Sequence, residues 1–169
     1  MSVVTPVAGD RRAPRGSSMP PFAFDSRRWD LVDRVVAGAS LVLFVMLFLP
    51  WFTASIFFTS FSGSGLDAHG YLYIPLIISI ALVIYLVLRA GMDPMPFKVP
   101  MEHAVVLLIA TAINFVLVLI GFIATPGGPV NWSRDFGAYI ALLAAIVAVA
   151  LPVRDFMQAR STAGGGRRR

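Results

Sequence analysis

Residues 104–124 read AVVLLIATAINFVLVLIGFIA, without one acidic or basic side chain. At 1.5 Å per residue such a helix is about 31 Å long, the thickness of a bilayer's hydrocarbon core. A soluble amphipathic helix keeps a charged outer face, and this segment has none. Uniform hydrophobicity does not by itself separate helix from strand, but strands of this length are rare. Helix also satisfies each backbone polar group within the segment, as lipid requires. The stretch is read as a transmembrane helix.

Three more runs of the same kind flank it: 35–52 (VVAGASLVLFVMLFLPWF), 71–88 (YLYIPLIISIALVIYLVL) and 137–153 (GAYIALLAAIVAVALPV). The stretches 35–66, 68–88, 103–133 and 136–153 carry no Asp, Glu, Lys or Arg. In the whole chain 57% of residues are hydrophobic and 14% charged, against ~45–50% apolar in soluble domains. The expected fold is all-α membrane, a four-transmembrane-helix bundle over 25–153. A Pro-, Gly- and Ser-rich segment, 1–24, is expected to be disordered before it. A basic tail, 154–169, follows and ends GGGRRR. This composition excludes a soluble enzyme, a nucleic-acid-binding domain and a disordered regulator.

Lys and Arg set the orientation. Six arginines precede the first run (Arg11, Arg12, Arg15, Arg27, Arg28, Arg34), Arg89 and Lys98 lie between the second and third, and five arginines follow the fourth. The other two connections hold only Arg134. The positive-inside rule then puts both termini in the cytoplasm. The first 30 residues have no apolar core with a small-residue cleavage site, so the first run is expected to stay in the protein. Trp51, Tyr71, Tyr73 and Trp132 are expected as anchors at the outer interface and Trp29 at the inner one. Asp25 or Ser26 is expected to cap the first helix, and Asp30 to pair with Arg34 at i+4. Pro75 and Pro100 read as first-turn positions, Pro152 as a last-turn one, and Pro50 as a kink near the outer end of the first span.

Few residues point to chemistry. Asn114 lies mid-span with Thr111 one turn before it, which makes them the candidate binding residues; the competing reading is an interhelical hydrogen bond. Gly137, Ala141 and Ala145 form a small-xxx-small ladder, joined by Ala144 and Ala148, that suits close packing within the bundle or against another copy. No cofactor is expected. There is no cysteine, which removes thiolate, iron–sulfur and Cys-zinc chemistry. His69 and His103 sit at opposite ends of spans, too far apart to ligate one haem. Asp67 and His69 make too thin a set for a metal in SGSGLDAHG, which reads as a solvated loop. Asp135-Phe136-Gly137 matches a kinase tripeptide without other kinase elements, and Asn131-Trp132-Ser133 is a glycosylation sequon by pattern alone. No span holds a charge near its centre, as proton relays and ion-coupled transporters do.

Two resemblances follow from these residues. Four spans with outer aspartates Asp67 and Asp135 are similar to lipoprotein signal peptidases, in which paired carboxylates would activate water. The longer motifs of that family are absent around SGLDAHG and WSRDFGA. The order RVVAGASLVLFVMLFLPWF, SGSGLDAHGYLY, YLVLRAGMDPMPFK and LLIATAINFVLVLIGF, across about 28–153, resembles a group of small actinobacterial integral membrane proteins. That resemblance implies a source and an architecture, and no activity. The expected function is a non-enzymatic accessory or structural subunit of an envelope complex in the bacterial cytoplasmic membrane. Its partners would be the bilayer, anionic headgroups at the basic termini, and another membrane protein or a second copy; nucleic acid is not among them. A small transporter or channel for a neutral or lipid-like solute is the alternative, and an outer-face aspartyl hydrolase the third reading.

Overall fold

The computed structural model describes residues 26–56, 58–92, 101–127 and 131–165. The segment 1–24, Phe57, Lys98, Pro100 and the final Arg167, Arg168 and Arg169 lie outside them. Four long helices dominate: α1 (Leu31–Met46), α3 (Tyr73–Gly91), α4 (His103–Ile123) and α5 (Phe136–Gly165), with a single turn, α2 (Gly65–Ala68), between the first two. Their directions alternate. Side chains near the start of α1, the end of α3 and the start of α4 meet at one end of the bundle. At the other end, residues following α1 pack against α2 and against glycines late in α4 and early in α5. Segments Gly70–Gly91, His103–Ile123 and Phe136–Ser161 are long and apolar enough to cross a membrane. Helix α1, at 16 residues, is shorter.

The all-α expectation is incomplete. A three-stranded antiparallel sheet covers one end of the bundle, with β1 (Pro50–Ile56) between β2 (Thr59–Ser64) and β3 (Ser133–Arg134). The expected first span, 35–52, is therefore cut short: its helix ends at Met46 and its last three residues start a strand. Pro50 explains the break. It has no N–H to donate to the Met46 carbonyl, which instead accepts from the Leu49 N–H and, at 2.8 Å, from Trp51 Nε1. The kink expected at Pro50 is a change of secondary structure.

A bulge follows at once. Pro50 pairs with Ser64 and Phe52 with Gly63, leaving Trp51 as the extra residue. Strand alternation would send one of two successive side chains outward, and the bulge lets both Trp51 and Phe52 turn into the core. They join Leu43, Leu47, Leu66, Leu72, Val118, Ala138, Ala141 and Ala145 in the larger hydrophobic cluster.

Three glycines make room for the Trp51 ring. A Cβ on Gly65 would stand 2.7 Å from the indole, and one on Gly121 3.4 Å from it. A Cβ on Gly137 would stand 2.4 Å from the Pro50 carbonyl oxygen and 3.3 Å from the ring. With its Nε1–H satisfied by Met46, the indole is wholly buried. Trp51, expected as an interface anchor, is thus a keystone between sheet and bundle.

The small-residue face of α5 is also internal. Ala141, Ala144, Ala145 and Ala148 are all buried, with Gly137 at the Trp51 socket. The helix itself outruns expectation, continuing past 153 as far as Gly165, so Pro152 is an interior position and 154–165 is helix. Apolar residues such as Ile77, Ile84, Ile113, Val116 and Leu143 point outward from the bundle, as a lipid-facing surface requires.

Candidate functional site

One buried carboxylate and two half-buried basic side chains gather at the end opposite the sheet. The Asp30 side chain caps α1 by accepting the Asp33 N–H at 2.7 Å, a role expected of Asp25 or Ser26. That places Asp33 in the first turn, where the helix dipole favours an anion. Arg89 sits in the last turn of α3, where a cation is favoured. His103 is the first residue of α4.

The three converge. Arg89 Nη1 donates to Asp33 Oδ2 at 2.9 Å, and His103 Nε2 lies 2.8 Å from Asp33 Oδ1. Arg89 Nη1 also abuts His103 Nε2. The Tyr85 hydroxyl lies 2.9 Å from His103 Nδ1. A hydrogen on Nε2 lets the imidazole donate to Asp33 Oδ1 and leaves Nδ1 to accept from the Tyr85 hydroxyl. Only 1% of the Asp33 side chain is exposed, against 32% for Arg89 and 23% for His103. Trp29 closes the flank, its Nε1–H donating to the Leu86 carbonyl at 2.8 Å.

A carboxylate with both oxygens engaged is poorly placed to act as a base or to ligate a metal. Among the described residues no group of His, Asp and Glu forms a metal-ligand set. What the arrangement does is bind three helices together: two opposite charges and an imidazole hold α1, α3 and α4 at one level.

Asn114 and Thr111 are both buried, and their side chains take different partners. Thr111 Oγ1 turns back on its own helix, donating to the Leu107 carbonyl at 2.7 Å. Asn114 Nδ2 reaches across to Ser79 Oγ on α3 at 3.1 Å. Asn114 Oδ1 and Ser40 Oγ on α1 are buried with no partner among the described residues.

At the sheet end each charged residue has a local task. Asp67 forms a reciprocal capping box with Ser64 around α2. The Ser64 hydroxyl donates to Asp67 Oδ2 at 2.6 Å and, with the Ser64 N–H, holds that carboxyl below its usual pKa. Asp135 accepts from Thr53 Oγ1 at 2.6 Å and from the Phe136 N–H at 2.7 Å, which lower its pKa in that order. The carboxylates of Asp67 and Asp135 therefore serve separate helix starts. Arg134 caps the end of α4 through the Phe122 and Ile123 carbonyls, with its guanidinium over the Phe122 ring. His69 Nε2 lies 2.9 Å from the Ala124 carbonyl, and its ring stacks on Tyr71. The aromatic residues expected as anchors divide: Tyr73 is exposed, Trp29, Tyr71 and Trp132 are half-buried, and Trp51 is in the core.

The Asp33 cluster escaped the sequence reading, which looked for charges at span centres. A signal existed: Asp33, Arg89 and His103 each lie within a turn of a span end on the same side.

No protein-family model, no curated protein and no solved structure matches the chain.

Proposed function

We propose that the chain is a four-span protein of the bacterial cytoplasmic membrane, with both termini inside, that serves as a non-enzymatic accessory or structural subunit of an envelope complex. The four-span reading is supported by α1 itself. At about 24 Å it is short for a bilayer core, yet it runs from the Asp33 cluster to the turn that precedes Trp51, the same two levels its neighbours join. Bases concentrated at the termini and beside Lys98 support the orientation. Those bases would also hold anionic headgroups, at ~1 kcal/mol each near the surface.

The observation that carries the subunit reading is the hairpin tip. Phe58, in the turn before β2, is fully exposed and Phe61 on β2 is half exposed, on a hairpin that Trp51 of β1 ties to the bundle. Strand β2 lies at the edge of the sheet, with β1 along its inner side. An exposed aromatic pair at the tip and edge of a firmly held hairpin is a surface suited to be covered by a partner.

The test is gentle purification of tagged protein from native membranes, with mass spectrometry of what co-elutes, in wild type and in a Phe58→Ser, Phe61→Ser variant. A stoichiometric protein partner lost from the variant, at unchanged thermal stability, is the expected result. Wild type eluting alone as a homo-oligomer with a retained small molecule would replace the subunit reading with the transport one.

A further inference from the structure

An open apolar groove of about 290 Å³ runs between α3 and α4, lined by Ile78, Ala81, Leu82, Tyr85, Val106 and Ala110. Its depth comes from Ala81 and Ala110, which leave space where larger side chains would close it. On α3 the lining residues follow one helical stripe that continues by one turn to Arg89. On α4 the stripe Ala110, Val106 continues to His103. The Tyr85–His103 hydrogen bond forms a polar wall where the groove ends. From Ile78 to Arg89 the helix rises roughly 16 Å, half of a ~30 Å hydrocarbon core and so the depth of one leaflet.

We propose that this groove seats an acyl chain of an anionic phospholipid whose phosphate meets the Arg89 guanidinium. The inference rests on the membrane placement proposed above. Arg89 engages Asp33 and His103 through Nη1 alone, so Nε and Nη2 have no bond among the described residues, and a third of the side chain is exposed. Asp33, its counter-charge, is buried behind it, so among the described residues the exposed charge of the pair is the cation. The other described carboxylates near His103 line separate cavities toward α5, Asp30 and Asp155 one that His103 shares, Glu102 and Asp155 a second. A guanidinium binds a phosphate through two donors at once, which an ammonium does not.

The experiment is native mass spectrometry of the full-length protein, delipidated in detergent and titrated with dioleoyl phosphatidylglycerol or dioleoyl phosphatidylcholine. Wild type should retain the glycerol lipid about fivefold more tightly, the gain of one basic contact. Arg89→Lys keeps a charge for Asp33 but loses the two-donor fork, and should reduce that preference. Ala81→Phe, on the outward face where folding is not at stake, should lower retention of both. Equal retention of the two lipids by wild type would overturn the headgroup assignment, and full retention by Ala81→Phe would overturn the groove. A wild-type dimer split by Ala81→Phe would give the groove to a second copy instead. A chain that stays soluble without detergent and holds neither lipid would overturn the membrane placement, and this site with it.

Discussion

Asp33 and Arg89 are 56 positions apart in the chain and 2.9 Å apart in the fold, one at the start of a helix and the other at the end of its antiparallel neighbour. Each charge is favoured by its own helix dipole before the pair forms. Removing Arg89 leaves Asp33 buried without its cation, whereas removing Asp33 leaves a guanidinium that still reaches solvent.

Asp33→Ala should therefore destabilise the protein by about 2–3 kcal/mol, somewhat below the loss for a wholly buried pair because Arg89 keeps solvent access. Thermal unfolding in detergent measures it. The Asp33→Leu, Arg89→Leu double variant should cost less than the two single changes added together. Simple additivity would mean that the pair does not act as a unit.

Gly137→Ala should be the most damaging of the glycine changes, since the new methyl group meets the Pro50 backbone oxygen, which a side-chain rotation cannot clear. A cost of about 2–3 kcal/mol is expected from such overpacking. Gly38→Ala is the control. Nothing lies within 4 Å of a Cβ there, so the helix should be stabilised by up to ~1 kcal/mol.

Asn114→Leu should cost roughly 0.6–2 kcal/mol, as expected for one interhelical hydrogen bond in a membrane. Most of that should vanish in a Ser79→Ala background, where the partner is already gone. Lost solute flux in a variant of unchanged stability would instead make Asn114 part of a path.

The sheet end should respond to acid. The Ser64 and Thr53 hydroxyls hold the Asp67 and Asp135 carboxyls below the usual carboxylate range in the folded protein. Their contribution to stability is complete above that range and is lost as pH falls through the lowered folded pKa values. Amide exchange in the hairpin should therefore accelerate below about pH 4, and Thr53→Val should shrink the acid effect by removing the first cause of the Asp135 shift.

Three long helices were legible in the sequence because lipid-facing segments leave the same signature at every position, an unbroken apolar run of bilayer length. The end of α1 was not. The run continues through Leu47 to Phe52 without a change of hydropathy, and only Pro50 marks where helix gives way to strand. The hairpin was hidden for a related reason: SIFFTSFSGS is short, and its register depends on a bulge at Trp51 and on pairing with Arg134 far along the chain. Asn114 stood out as a lone amide in an apolar run. Asp33 did not, because a charge near a span end looks like an ordinary flank until the helices that surround it are known.

The socket around Trp51 ties one residue of β1 to three glycines in other elements, and this bears on how the sequence can drift. Gly65 cannot gain a side chain while the indole stays, Gly137 cannot while the Pro50 carbonyl keeps its place, and Gly121 can only if Leu72 gives way by a few tenths of an ångström. Related chains should therefore keep Trp51 and Gly65 unchanged or change them together, and keep Gly137 for as long as the chain turns at Pro50.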